Sequence, residues 1–124
     1  MQSLDTLPLE SNIVVSTGTP KHDRRLSDKI LAAFGHAYAE GALGVAAVLR
    51  RALEEAQGTL YGAPAERRAH SGYVRALVQA DLWVAFVDSR DAFRRASAAQ
   101  APDLEALEQA RAEMMDAYKA WSYG

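Results

Sequence analysis

The feature that most constrains this chain is an unbroken helical pattern from about Ala65 to Ala99. A helix of that length exceeds the usual globular helix, so the pattern also allows a bend near Asp88 and Ser89. Within it, the segment from Leu82 to Val87 is apolar on every side, whereas a surface helix keeps one polar face. This helix is therefore predicted either to be central in a bundle or to have its second face covered by another subunit.

Shorter helical patterns precede and follow the long one. A first helix is predicted to start with Ser27 as its N-cap and to end at Gly41, which can adopt the left-handed conformation that closes helices. A second helix ends near Gly58, and the last one opens after Pro102. We therefore predict an all-α fold, an antiparallel up-and-down bundle of four helices in one domain of residues 24–124.

Residues 1–23 have a different character from the rest of the chain. They include Pro8, a turn-rich cluster from Ser16 to Pro20 and one apolar patch from Ile13 to Val15. This composition predicts an extended N-terminal arm rather than a helix. Two alternatives are open: the arm is a surface tail, or the Ile13–Val15 patch pins it onto the bundle or onto a partner.

Composition excludes several classes of protein. Apolar residues make up 49% of the chain, and its 14 basic and 16 acidic residues are mixed, with a net charge of −2. This balance argues against a nucleic-acid partner, which usually requires a strongly basic face. The absence of cysteine fits a reducing compartment. With no signal-peptide pattern and no apolar run long enough to span a bilayer, we expect a cytoplasmic protein without a membrane partner.

Motifs for catalysis and metal binding are missing. The glycines form neither a phosphate-binding loop nor a dinucleotide fingerprint, and no Gly-x-Ser-x-Gly elbow occurs. A di-iron bundle would need Glu-x-x-His pairs, and the chain has none. His36 with Glu40 and Glu66 with His70 are four residues apart and are predicted to be surface pairs. We therefore expect no enzymatic activity, no cofactor and no bound metal.

Two aspartates, Asp81 and Asp88, are predicted to lie within the apolar face of the long helix. At about 100° per residue, their neighbours on that face are apolar: Tyr73, Val74, Leu77, Val78, Ala80, Val84, Ala85 and Val87. A buried carboxylate costs free energy unless it is paired. Arg111, on the predicted seam of the last helix, is therefore expected to form a structural ion pair with Asp88 or Asp91. For Asp81 we expect either a tyrosine hydroxyl as partner or a role in a pocket.

Two functions follow from these patterns. Trp83 and Phe86 point away from the aspartates and, together with Trp121, are the expected interface residues. We therefore expect a non-enzymatic protein–protein interaction or regulatory module that acts as a homodimer and binds an unidentified protein partner. The alternative is a small-molecule sensor or carrier whose pocket between helices is lined by Phe34, Tyr38, Asp81, Trp83 and Met114.

Overall fold

A computed structural model of the chain describes residues 25–59 and 64–123. These residues form four α-helices: α1 Leu26–Ala39, α2 Leu43–Thr59, α3 Pro64–Ser97 and α4 Leu104–Tyr123. Of the residues described, 89% are helical and none is in a strand, so the predicted all-α class with four helices is confirmed. The predicted arm, residues 1–23, lies outside the described residues. Within the described part, no helix is long and apolar enough to cross a membrane.

The chain divides into two compact units, Met1–Ala80 and Asp81–Gly124. Their boundary falls inside α3, which is helical without interruption from Pro64 to Ser97. The described part of the first unit contains α1, α2 and the first half of α3, and the second unit contains the rest of α3 and α4. The expectation of a single domain over residues 24–124 stays a prediction.

A turn centred on glycine ends α1 where the sequence predicts it. Gly41 has φ of 84°, and its N–H donates to the Tyr38 carbonyl at 3.1 Å, while the Ala42 N–H donates to the Ala37 carbonyl at 2.9 Å. This pair of bonds is the Schellman closure, which satisfies carbonyls that the helix end would otherwise leave without donors. The short connection returns α2 along α1, and the two helices pack together.

The start of α1 differs from the prediction. The helix begins at Leu26 with Arg25 as its N-cap, whereas the predicted cap, Ser27, lies in the first turn and is only 2% exposed. A Cβ atom placed on Gly72 of α3 would lie 3.0 Å from the Ser27 Oγ. Because the Ser27 side chain packs this closely against the Gly72 Cα, a side chain at position 72 would crowd it, which explains a glycine in the middle of a long helix.

The core of the first unit draws on all three of its helices. Phe34 of α1 and Leu53 of α2 are 3% and 0% exposed. Along α1, Phe34 and Ala37 are buried and Tyr38 is half-buried, so these residues form one apolar stripe at helical spacing. The remaining buried apolar residues of this unit are Leu31, Ala46, Tyr73, Ala76 and Ala80.

Candidate functional site

Four aromatic side chains form a continuous cluster in the second unit. Trp83 and Phe86 lie one turn apart on α3, with ring centroids 5.5 Å apart, and Tyr118 and Trp121 are 5.9 Å apart on α4. Between the helices, Trp83 contacts Trp121 at 4.8 Å and Phe86 contacts Tyr118 at 5.5 Å. Each ring therefore contacts two others, in the tilted or edge-on geometries that aromatic pairs favour.

The order of these contacts gives the direction of α4. Trp83 precedes Phe86 on α3, but its partner Trp121 follows Tyr118 on α4, so the two helices run antiparallel over this stretch. In both pairs the two residue numbers average 102, a position in the connection between the helices, as expected for a helical hairpin. There the Asp103 carboxylate accepts a hydrogen bond from the Glu105 N–H at 3.1 Å and so caps α4. The predicted start of the last helix is confirmed.

The cluster extends from the core to the surface. Trp83 is 3% exposed and Tyr118 is 44% exposed, while Phe86 and Trp121 are half-buried. Trp83 was a predicted interface anchor, but its own chain already covers its ring. Of the three predicted interface residues, Phe86 and Trp121 retain exposed surface that a partner can contact. Tyr118 was not among the predicted interface residues, but it is the most exposed side chain of the cluster.

The described helix α4 contains no buried residue along its whole length. Four of its apolar or aromatic side chains are instead exposed by 40% or more, and we call them the α4 surface: Leu104, Met115, Tyr118 and Tyr123. Its better covered side is a stripe of half-buried residues at alternating spacings of three and four: Leu107, Ala110, Met114, Ala117 and Trp121. A helix with this distribution packs on one side only.

Arg111 lies beside that stripe rather than in it. Its Nη2 is 3.3 Å from the Glu108 carboxylate on the same helix, and its side chain is 55% exposed. In the antiparallel register Arg111 is level with Phe93, five residues or about 7.5 Å along the axis from Asp88. Arg111 therefore pairs with Glu108 and not, as predicted, with Asp88 or Asp91, and the Asp91 carboxylate lies 3.3 Å from the Arg90 Nη2. Ala110 takes the seam position, which avoids the cost of burying a guanidinium.

Asp81 and Asp88 are exposed, which corrects the expectation that both are buried. The buried positions of α3 form a different stripe, about 120° around the helix from Asp81: Tyr73, Ala76, Ala80, Trp83 and Val87. Burying an indole removes far more apolar surface from water than burying a valine. The helix therefore turns Trp83 inward and leaves Val78, next to Asp81, 53% exposed.

The residues predicted to line a ligand pocket are divided between the two units. Phe34 and Tyr38 stack at 5.9 Å in the first unit. In the second unit, Trp83 is part of the aromatic cluster, Met114 is half-buried and Asp81 is exposed. The exposure of Asp81 removes the burial on which the pocket hypothesis depended.

Surface ion pairs account for several polar side chains. The His36 Nε2 lies 3.1 Å from the Glu40 carboxylate, with both side chains about half exposed, which confirms the predicted surface pairing. Arg50 and Glu54 form a similar pair at 3.1 Å. Such exposed pairs contribute little to stability. Among the residues described, no group of three His, Asp or Glu side chains is placed to hold a metal ion.

A second apolar surface lies on α2. Val45 and Val48 are 56% and 55% exposed, and Ala52, on the same side, is exposed as well. We call these three residues the α2 face. From the sequence alone, Val45 and Ala52 belong to the same apolar arc of α2 as the buried Leu53. The missed signal is the width of that apolar arc, which is greater than one neighbouring helix can cover.

No family model, curated protein or solved structure matches the chain. The functional argument therefore depends on the chemistry of the surfaces themselves, above all the α4 surface and the α2 face.

Proposed function

We propose that the protein is a non-enzymatic protein–protein interaction or regulatory module that acts as a homodimer through the α4 surface. The observation that carries the proposal is that α4, described in full, has no buried residue. A single helix in water is marginal, and most of its stability in proteins comes from burying an apolar face. In the second unit α4 packs on α3, and Met115 and Tyr118 are still 40% and 44% exposed.

Tyr118 has the properties of an interface anchor. Its ring is held by Phe86 at 5.5 Å and by Trp121 at 5.9 Å, so little conformational entropy remains to be lost when a partner binds. Tyrosine and tryptophan are enriched at the centres of interfaces, where they are surrounded by residues that exclude water. In a two-fold dimer the same patch faces itself, so one such anchor is used twice.

The composition of the chain supports a cytoplasmic location and a protein partner. A chain without cysteine does not depend on disulfide bonds, which suits the reducing cytoplasm. We place the module there and expect a further, unidentified protein partner. A net charge of −2 supports a protein rather than a nucleic acid as that partner.

Sedimentation velocity from low to high micromolar concentration tests the proposal. The wild-type protein should sediment as a dimer. Met115→Glu or Tyr118→Glu should raise the dissociation constant by about 30-fold or more, the loss expected for a central interface residue. Leu43→Glu is the matched control, because Leu43 is 57% exposed at the start of α2 and should leave the dimer intact.

Two results would contradict this assignment. A wild-type protein that stays monomeric at high micromolar concentration excludes the homodimer. Equal dissociation by Leu43→Glu and Tyr118→Glu, with helical circular dichroism preserved in both, would show that the dimer does not depend on the α4 surface.

A further inference from the structure

The exposed side of α4 contains a regular seam of its own. Its members follow one another at spacings of four, three, four and three residues, and all of them are exposed: Leu104, Glu108, Arg111, Met115 and Tyr118. We call them the outer seam. They lie within an arc of about 80°, roughly 100° around the helix from the half-buried stripe that faces α3. Alternating spacings of three and four are typical of a helix that packs along a second helix.

An ion pair occupies the middle of the outer seam. The Arg111 Nε and Nη2 donate to the two oxygens of the Glu108 carboxylate at 3.4 and 3.3 Å, and the two side chains are 55% and 67% exposed. An arginine side chain carries more N–H donors than these two, and a carboxylate accepts more than two hydrogen bonds. Both groups can therefore also bind charges on another molecule. Charged residues along a seam of this kind set the orientation and register of paired helices.

We propose that Glu108 and Arg111 set the geometry of the homodimer proposed above, on which this inference rests. Two copies of α4 pack antiparallel along their outer seams, and Glu108 of each copy faces Arg111 of the other. The same register places Leu104 opposite the partner's Met115, because both pairs are centred on one point of the sequence, midway between residues 109 and 110. A two-fold axis through that point therefore matches opposite charges and apolar side chains together.

The apolar contacts enclose the charges in this arrangement. The two layers that pair Leu104 with the partner's Met115 lie about 8 Å on either side of the two-fold axis. Between them are four charges, two from each copy, which form a network. An isolated surface ion pair contributes little to stability, whereas a network of several charges contributes more. Tyr118 then faces residue 101 of the partner, in an exposed connection with small side chains at Ala98, Ala99 and Ala101.

Other arrangements of the same two helices match the charges less well. A parallel pair places Arg111 against the partner's Arg111 and Glu108 against the partner's Glu108, and like charges repel. Sliding the antiparallel partner by one heptad places Arg111 opposite the partner's Met115, which covers a charge with an apolar group. Sliding it by two heptads pairs Met115 with Tyr118, but Arg111 then faces the partner's Ser122, which offers no opposite charge.

Opposite charge reversals in the full-length protein test the register. Glu108→Arg leaves two arginines at the centre of the outer seam, and Arg111→Glu leaves two glutamates. Each variant alone should have its dissociation constant raised at least about tenfold, because every central contact then joins like charges. In a 1:1 mixture each arginine faces a glutamate, so the dissociation constant of the mixed dimer should return to within about threefold of the wild-type value. Sedimentation velocity with one variant fluorescently labelled measures these constants.

The matched control reverses a surface pair on α2. The Arg50 Nε lies 3.1 Å from the Glu54 carboxylate, and Arg50→Glu and Glu54→Arg change the net charge of the chain by the same amounts as the test variants. Both control variants should dimerise like the wild type, alone and mixed. Mixing also controls for folding, because the charges within each chain are the same before and after.

Cross-linking measures the register without changing any charge. The chain has no cysteine of its own, so Leu104→Cys and Met115→Cys introduce single reactive sites. Mild oxidation of a mixture of these two variants should join one to the other, because a disulfide requires Cα atoms within about 7 Å. Met115→Cys alone should form few disulfides, because in this register its two copies lie about 16 Å apart along the axis.

The outcomes separate this inference from the proposed dimer. A wild-type monomer contradicts the dimer itself. A wild-type dimer that both reversals leave intact contradicts the register alone, as does a cross-link of Met115→Cys with Tyr118→Cys that forms faster than that of Met115→Cys with Leu104→Cys. Reversals that weaken the dimer without rescue by mixing would show that Glu108 does not face Arg111.

Discussion

The contact between Trp83 and Trp121 can be observed directly because these are the two tryptophans of the chain. Their ring centroids are 4.8 Å apart, with the ring planes inclined by 54°. Two indoles that are close and not parallel couple their electronic transitions. We therefore predict a paired positive and negative band in the circular dichroism spectrum, which either Trp83→Phe or Trp121→Phe abolishes.

The energetic size of this contact follows from burial. Trp83 is 3% exposed, and replacing a buried tryptophan by alanine costs about 3–5 kcal/mol. Trp121 is half-buried, so Trp121→Ala should cost about 2 kcal/mol. Because a well-oriented aromatic pair contributes about 0.5–1.5 kcal/mol beyond area burial, the double variant should lose about 1 kcal/mol less than the sum of the single losses.

Urea denaturation followed by the helical circular dichroism signal measures this double-mutant cycle. Domains are stable by only about 5–15 kcal/mol, so Trp83→Ala can bring the second unit close to unfolding. The phenylalanine variants then provide a milder cycle on the same contact. Strict additivity within about 0.3 kcal/mol, together with no coupled band in the wild type, would refute the contact and with it the antiparallel register of α3 and α4.

Thermal and urea melts check three further predictions. Gly72→Ala should destabilise the protein by about 1 kcal/mol, because its Cβ would lie 3.0 Å from the Ser27 Oγ. The control Gly44→Ala, whose Cβ would have nothing within 4 Å, should stabilise α2 by about 0.5 kcal/mol. Equal effects of the two substitutions would show that the space between Gly72 and α1 is open. Gly41→Ala should cost about 1–2 kcal/mol because its φ is 84°, and a neutral result would contradict that turn. Arg111→Ala should change stability by less than about 0.5 kcal/mol, whereas a loss of 3 kcal/mol would indicate a buried ion pair.

Local signals in the sequence predicted the helices well. Gly41 ends α1 and Asp103 caps α4 because each acts on backbone groups within a few residues of itself. The start of α1 was missed for the opposite reason. Ser27 is a good capping residue, but in the structure it is buried in the first turn beside Gly72. A tertiary approach of two helices overrides a local preference, and a single sequence does not reveal which helices approach.

The periodicity of the sequence also does not determine how α3 is rotated about its axis. Leu82 to Val87 is apolar on all sides, so the pattern does not say which side is buried. A usable signal was the spacing of Ala76, Ala80 and Trp83, since small residues permit close packing around a large one. All three are 3% exposed or less. The valine-rich side of the same pattern predicts a buried Asp81, and the pocket hypothesis depends on that burial.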